Sequence, residues 1–581
     1  MTNSITEHKR HTLAHLLAMA VLKKYPNAKL GIGPTIENGF YYDFQIPEGF
    51  KESDLKEFEK AMRKAIGGKL ATVGKKVTPD QARALFKDQP FKLDLIEEYA
   101  SEGRELTAYQ TGSFFDLCRG GHIDNTGEID PDSFMLTRIA GAYWRGDETK
   151  PQLQRIYGFA FDTKEELEAY IVMLEEAKKR DHKKLGPELD LFTFSELVGP
   201  GLPLWTPKGT ILRTVLDDFV WSLRRKHGYQ KVEIPHISKK DLYETSGHWQ
   251  KFQDQLFHVT TREGHEFVMK PMNCPHHTQI YARKPHSYRE LPQRYANTTM
   301  VYRDEQSGEL AGLSRVRCIT QDDAHVFCRK DQIAEEMEKV WSIIEEFYGA
   351  IGFTLSPRLS LSDPAHPENY LGSREVWDVT EQELRALVQK RGVDAPETLG
   401  EAAFYGPKID FMAKDSLGRE WQVATIQLDM NMPERFDLTC VNERGEKERI
   451  VMIHAAIMGS IERYLSIVIE HVAGAFPLWL APVQIKILSI NDKVLDFVHD
   501  VHKKFELQNI RVEIDDRMES IGKKIREAEM QKIPFLLVIG DKEAESNMVS
   551  VRERSKGDIG QEDIDKFIQR VYNAIEHRSL P

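Results

Sequence analysis

Just before residue 480 the rhythm of the chain changes, and this change limits the fold more than any other feature. After "FPLWLAP" the chain runs "VQIKILSI", a helical stretch, "IRVEIDD", a helix around "IGKKIREAEMQK", "PFLLVIGD", and a last helix from "QEDIDKFIQRVYNAIEH". Strand–helix alternation over ~100 residues describes one α/β domain. Upstream, "FVMKPMN", "NTTMVYRDE", "RVRCITQDD" and "WQVATIQLD" are set among helices and read as strands of an antiparallel sheet. The two patterns belong to different cores. At 581 residues the chain is in any case too long for one core, and three or four domains are expected.

Residues 1–160 mix short helical and strand patterns with glycine-rich turns, "GIGPTIENGFYYDF" and "AGAYWRGDE". The stretch "TKEELEAYIVMLEEAKKRDHKK" has helical spacing and a Lys/Arg-rich end, so residues 161–186 read as a connecting helix whose basic end is a solvated face first and an RNA contact second. The expected organisation is therefore an α+β multidomain chain: 1–160, the linker 161–186, a large central domain 187–478, and 479–581. A hydrophobic content of 41% with 29% charged residues is an ordinary soluble mix. The net charge of -12 gives no hint of a polyanion partner, and the tail from 480 on has 17 Lys/Arg against 19 Asp/Glu. Five cysteines make no disulfide framework and suit a reducing cytoplasm. The N-terminus has no signal-peptide apolar region, and no stretch approaches the ~20 apolar residues of a membrane span. The expectation is a cytosolic protein with no membrane partner.

Several stretches carry chemistry. "DDFVWSLRRKHGYQKVEIPHI" is an amphipathic helix, a turn at Gly228 and a strand closed by Pro235. "MVYRDEQSGELAGLSRVRCITQDDAHVF" reads as a strand ending at Arg303-Asp304-Glu305, a Ser/Gly loop, and a returning strand that bears Arg315 and Arg317. An Arg there can fork onto a phosphate, although each residue alone reads as a surface ion pair. "MGSIERYLSIVIE" is a Gly-Ser turn entering a helix with Arg463 in its first turns, which suits an anion or a stacked base. Near the N-terminus His11 and His15 are four apart, as are Cys118 and His122 in "DLCRGGH". Thr12 follows His11 where a metalloprotease has Glu, so that reading fails. Both pairs could sit on one helical face; a structural zinc and a set of buried, hydrogen-bonded histidines are about equally good accounts.

The order helix–strand–Pro, Arg-x-Glu on a hairpin and Gly-x-x-Glu-Arg on a helix resembles motifs 1, 2 and 3 of class II aminoacyl-tRNA synthetases. "KPMNCPHH", "TQDDAHVFC", "AFYGPKIDF", "TIQLD", "VMIHAAIMGSIERYL" and "FPLWLAPVQ" narrow the resemblance to the threonyl-tRNA synthetase family, over nearly the whole chain. The resemblance implies an antiparallel class II catalytic core, an N-terminal α+β editing domain and a C-terminal α/β anticodon-binding domain. It implies ligation of L-threonine to tRNA(Thr) through a threonyl-adenylate made from ATP, with Mg²⁺ riding on the phosphates and motif 1 forming a homodimer interface. Arg303 would hold the α-phosphate, Arg315 the γ-phosphate and Glu305 the adenine amino group, while Arg463 would stack on the adenine. Cys274, His325 and His454 would bind one Zn²⁺ per subunit with a position open to substrate. Asp323 would accept from the threonine hydroxyl, Gln321 and Tyr405 would stand near the amino group, and Gln427 and Lys408 would also contact substrate.

Such a site rejects valine, which lacks the hydroxyl, but separates serine only by a methyl, roughly 10–200-fold. The resemblance accordingly makes His11, His15, Cys118, His122 and Asp116 a metal-free proofreading site for seryl-tRNA(Thr). Glu543 and Arg552 match positions that read anticodon bases. Three departures stand out: Gly121 replaces the Pro of "CRGPH", His276 replaces a Gly, and Ala455 follows His454 in place of Arg. The family's ubiquitin-like N-terminal domain has no counterpart ahead of the editing stretch. The rival readings are a synthetase-derived deacylase and an RNA-binding regulator without ligase activity.

Overall fold

The computed structural model describes residues 4–580. The chain divides into two compact units, Met1–Glu175 and Glu176–Pro581, and the division falls inside the helix Lys164–Arg180. The sequence reads one connecting helix through residue 184. Instead a break at Asp181, which accepts from the Lys183 N–H, starts a second helix, His182–Glu188. The basic end is only partly solvated: Arg180 pairs with Glu176 and donates to Ser416 Oγ and the His471 carbonyl.

In the first unit, the helix Ser4–Lys24 contains "LAHLLAMAVL", rich in Ala and Leu, and ends on Lys23 and Lys24. Leu13, Leu16, Leu17 and Val21 are fully buried, each a stabilisation of about 1.5–3 kcal/mol. They pack with Phe40, Tyr42 and Phe44 of the strand Gly39–Gln45 and with Phe58 and Met62 of the helix Glu52–Gly67. The sheet behind them pairs Gly39–Gln45 with Gln152–Ala160, and that strand with Phe134–Tyr143, all antiparallel. A second antiparallel sheet is formed by Thr72–Val77, Leu106–Thr111 and Phe114–Leu117.

The second unit is built on an eight-stranded sheet. From Gln293–Tyr302 through Cys318–Cys328, Val451–Ser460, Glu420–Asp429 and Lys408–Lys414 to Thr354–Leu361 every pairing is antiparallel, as expected. Short parallel strands, Gln230–Lys231 and Glu397–Leu399, close the two edges. "FVMKPMN" is not part of this sheet. Its strand, Glu266–Met269, pairs with Ile237–Lys239 and His258–Thr260 in a small sheet of its own. Arg315 and Arg317 are likewise not on the returning strand, which begins at Cys318; they lie in the loop before it.

Beyond residue 480, Val512–Asp515, Ile485–Ser489 and Phe535–Ile539 are parallel, as alternation requires. An antiparallel hairpin, Met548–Glu553 with Gly557–Asp563, completes the sheet and was not legible in the alternation. Its second strand takes the residues expected to open the last helix, which starts at Ile564 with Asp563 as its cap.

Candidate functional site

Sheet register builds the first constellation. His325 and His454, 129 residues apart in sequence, stand directly opposite each other on neighbouring antiparallel strands. Cys274 opens the helix Cys274–Ala282. One ligand atom from each of the three lies within 4.8 Å of the others, and all three residues are buried. His454 Nε2 is 3.0 Å from Asp429 Oδ2, while Asp429 Oδ1 accepts from the backbone N–H groups of Asn431 and Met432. Asp429 Oδ2 therefore accepts a hydrogen bond from the Nε2–H, and the Nδ1 lone pair of His454 faces His325 Nε2 at 3.1 Å. The other nitrogen of His325, Nδ1, is 2.7 Å from His277 Nδ1. Two imidazoles whose outer nitrogens are engaged and whose inner nitrogens converge beside a thiol match a metal's donor set. Burial, with Asp323 and Asp429 nearby, pushes the Cys274 thiol well up. A bound cation reverses that balance and favours the thiolate.

Polar atoms without partners cluster beside these three residues. Gln321 Oε1 and Asn273 Oδ1 are buried with no hydrogen-bond partner, as are both amide atoms of Asn297. Asn297 sits opposite Asp323 in the sheet. Asp323 accepts from Asn273 Nδ2 at 3.1 Å and its Oδ1 lies 3.6 Å from His325 Nε2; burial raises its pKa. Tyr405 is buried with its ring 5.1 Å from that of His454. Orphaned buried amides cost about 1–3 kcal/mol each unless a ligand satisfies them, so this corner is built for a small polar molecule. Gln427 and Lys408, opposite each other in register, are committed inside the protein: Gln427 donates to the Gly406 carbonyl, and Lys408 Nζ is 2.7 Å from Asp410 Oδ2.

Next to it opens a cleft of about 480 Å³ lined by Arg303, Glu305, Arg315, Gln321, Ser460 and Arg463. Arg303 and Arg463 have no carboxylate within ion-pair distance among the described residues, and burial draws both guanidinium pKa values down. Ser460 caps the helix Ile461–His471 by accepting from the Arg463 N–H, which fixes the start of that side chain. Two bare guanidinium groups and a helix N-terminus face one cleft, an arrangement suited to a polyphosphate. Arg315 is different. It pairs with Glu305 at 2.7 Å and Glu309 at 3.1 Å, so two of the three motif 2 residues expected to meet ATP are held by each other here.

A strut behind this cleft was not foreseen. His182 Nδ1 lies 2.6 Å from Glu470 Oε1, and its Nε2 accepts from the Leu313 N–H in the loop that carries Arg315. Arg419 reaches the other Glu470 oxygen at 2.6 Å. His182 lay inside the helical reading of the linker and carried no local signal.

In the first unit the second constellation forms as expected, with one correction. His11 and His15 lie one turn apart on the helix Ser4–Lys24, but Cys118 and His122 belong to a loop. Gly120 and Gly121 hold φ of +98° and +82° in that loop. Gly121 thus occupies a backbone conformation closed to proline. The ring of His122 lies 4.0 Å from that of His11 and 4.3 Å from that of His15. Thr12 donates its hydroxyl to the His8 carbonyl and so accepts from His122 Nδ1 at 3.2 Å. That leaves His122 Nε2 as acceptor for the Cys118 thiol at 3.1 Å. Burial pushes the thiol up to about 12 and depresses all three histidines. Such a thiol is a hydrogen-bond donor rather than a nucleophile.

Asp116 joins the group, its Oδ2 3.4 Å from His15 Nε2. It accepts from Tyr42 at 2.6 Å and pairs with Lys92 at 2.5 Å. Lys92 is 2% exposed. A buried lysine in "FKLDL" has no sequence signature, and it was missed.

Glu543 and Arg552 form no pair among the described residues. Glu543 is buried, accepting from the Gly540 N–H, Ser550 and Gln561. Arg552 Nη2 is 3.6 Å from Glu529, and its Nε is buried without a partner.

The antiparallel core with its two bare arginines and capped helix is that of a class II aminoacyl-tRNA synthetase, and residues 257–472 match the family described as "tRNA synthetase class II core domain (G, H, P, S and T)". Residues 481–573 match "Anticodon binding domain", and residues 106–157 match "Threonyl and Alanyl tRNA synthetase second additional domain". The chain belongs to the threonine–tRNA ligase family: it is 48% identical over 573 residues to the Threonine--tRNA ligase of Porphyromonas gingivalis, covering 97% of this chain and 87% of that one. The corresponding protein of Gloeobacter violaceus is 49% identical over 558 residues, covering 94% and 89%. Among solved structures, the RNA binding domain of threonyl-tRNA synthetase from Cryptosporidium parvum Iowa II is 38% identical with a TM-score of 0.64, covering 69% of this chain and 99% of that one. A putative threonyl-tRNA synthetase from Aeropyrum pernix gives 29% and 0.60, covering 69% and 95%. The match at 106–157 holds Asp116, Cys118 and His122 but begins after His11 and His15, which the fold brings to them. No helix among the described residues is long and apolar enough to cross a membrane.

Proposed function

We propose that the pocket beside Cys274, His325 and His454 reads the hydroxyl of L-threonine, and that the arginine-lined cleft next to it activates the amino acid with ATP. The observation that carries this reading is the convergence of a metal's donor set with orphaned buried amides next to a cleft lined by two bare guanidinium groups. The chain is an enzyme that charges tRNA and edits the product, as its family membership and its second additional domain support. Cys274, His325 and His454 would hold Zn²⁺, which supplies a Lewis-acidic contact that only an amino acid with a hydroxyl can complete. Asp323 accepts from that hydroxyl, and Gln321 with Tyr405 orients the amino group. Arg303 holds the α-phosphate against the carboxylate and Arg463 stacks on the adenine, so positioning and fixed positive charge stabilise the in-line transfer. Arg315 and Glu305 part to take the γ-phosphate and the adenine amino group, with Mg²⁺ carried by ATP.

In the first unit His11, His15, Cys118, His122 and Asp116 hydrolyse seryl-tRNA(Thr) without a metal, ordering water and the terminal ribose. The contacts that engage both nitrogens of His122, with Thr12 and with Cys118, support this assignment. Motif 1 serves a homodimer, and Glu543 with Arg552 serves the anticodon in a domain that spans 479–581. The chain works in the cytoplasm. Threonine-dependent ATP–pyrophosphate exchange tests the reading: rapid exchange with threonine is expected, and none in a folded, zinc-supplied protein would remove the ligase assignment.

A further inference from the structure

The stretch "CPHH" places Cys274 and His277 three residues apart on the helix Cys274–Ala282, so both side chains lie on one face of it. Such a spacing reads locally as two ligands of one metal. The structure gives the two residues different duties. The donor atoms that converge are those of Cys274, His325 and His454. His277 Nδ1 instead lies 2.7 Å from the outer nitrogen of His325, Nδ1, while His325 Nε2 faces His454 Nδ1 at 3.1 Å. The rings of His277 and His325 meet edge to face, with centres 4.7 Å apart.

Two ring nitrogens at 2.7 Å share one proton, because two lone pairs that close repel. A neutral imidazole has a single proton, so its position on His325 decides whether Nε2 can serve as a ligand. With the Nε2 lone pair turned inward, that proton is on Nδ1 and His277 Nδ1 accepts the hydrogen bond. His277 then carries its own proton on Nε2, an atom buried with no partner among the described residues. A stranded donor costs about 1–3 kcal/mol. His277 is fully buried, and a leucine would fill its place without that cost. The imidazole is therefore explained by what its Nδ1 does. Its neighbour His276 has neither ring nitrogen partnered and makes no comparable contact with a ligand residue. One helical turn thus delivers a thiol and the support for an imidazole that comes from a separate strand.

We propose that His277 is a positioning residue for the metal centre: its Nδ1 accepts from the His325 Nδ1–H and so keeps His325 Nε2 free as a ligand. This rests on the zinc reading of the Cys274–His325–His454 group. His277 acts only through His325 and supplies no ligand atom of its own.

The test uses the full chain and its His277→Leu and His277→Asn variants, each stripped of metal and reloaded. Leucine fills the space without an acceptor, whereas asparagine has a carbonyl oxygen on the carbon that bears Nδ1. Zinc affinity, read by competition with a chromogenic chelator, is expected to fall about 10–100-fold in His277→Leu and to be largely restored in His277→Asn. Loading with Co²⁺ adds a spectroscopic readout: the visible bands of a thiolate-bound, four-coordinate ion should persist in the Asn variant and weaken in the Leu variant. Should the Leu variant not fold, the zinc-loaded unaltered chain with isotope-labelled histidines still decides the matter. Long-range proton–nitrogen correlation, assigned by the signal lost in His277→Asn, should show His277 protonated on Nε2. Zinc bound as tightly by the Leu variant as by the unaltered chain would overturn the proposal alone, as would a His277 protonated on Nδ1. Equal loss in both variants would also overturn it, since His277 would then be a ligand or a matter of shape. An unaltered chain that binds neither zinc nor cobalt would remove the metal reading itself, and this proposal with it.

Discussion

Replacing Asp429 by Asn tests whether the histidine pair is poised for a metal. The side chain is fully buried, and the change keeps its shape. Its Oδ1 caps the backbone N–H groups of Asn431 and Met432 at 2.7 Å and 2.9 Å, a duty the Asn oxygen can continue. The amide NH₂ then takes the place of Oδ2, 3.0 Å from His454 Nε2. An NH₂ cannot accept, so His454 must present a lone pair there and move its proton to Nδ1. That proton points at His325 and into the donor set. Loss of such an outer partner typically costs about 10–100-fold in metal affinity. Competition with a chromogenic chelator measures it, with circular dichroism to verify folding. Asp429→Asn is expected to release zinc at about 10–100-fold lower chelator concentration with its spectrum unchanged. Zinc held as tightly as in the unaltered chain would refute both the tautomer assignment and the site.

Arg303→Ala and Arg463→Ala should each lower adenylate formation by about 10²-fold or more without unfolding, since neither has a carboxylate partner to strand; pyrophosphate exchange beside a thermal melt decides this. His11→Ala with His15→Ala should leave threonine activation intact, because the two groups belong to separate compact units, and should let seryl-tRNA accumulate in a charging assay. Chelators should not slow the deacylation proposed for these residues; if they do, the quartet holds a structural zinc. His182→Ala strands the Leu313 N–H and leaves Glu470 Oε1 only the backbone N–H of residue 182, a cost of about 1–3 kcal/mol. It should raise the KM for ATP about 5-fold or more and leave that for threonine nearly unchanged, as steady-state exchange would show.

The architecture was legible where periodicity is strong. The α/β alternation after residue 480 and the antiparallel strands from 293 to 460 follow directly from hydrophobic pattern. The hairpin Met548–Glu553/Gly557–Asp563 was not, because its second strand, "GDIGQED", is polar and glycine-rich with no apolar alternation to betray it. Residues whose chemistry rests on register were legible only through family resemblance. No spacing rule joins Cys274 to His325 or His454; a β-ladder does. Lys92 and His182 fell outside even that, for a buried polar side chain reads as a surface residue until its partner, Asp116 or Glu470, is seen beside it. The pairing of Arg315 with Glu305 is the surface ion pair that each residue alone suggests.

The central claim is that this pocket recognises a hydroxyl rather than a shape. The most direct measurement compares kcat/KM for ATP–pyrophosphate exchange with threonine, valine and serine on the zinc-supplied chain. Valine nearly matches threonine in volume, and serine keeps the hydroxyl with one methyl fewer. A pocket that leaves Asp323 and the metal contact unsatisfied without a hydroxyl should disfavour valine by about 10⁴-fold or more and serine by only about 10–200-fold. If valine is activated as well as serine or better, the pocket sorts by volume and the account is wrong.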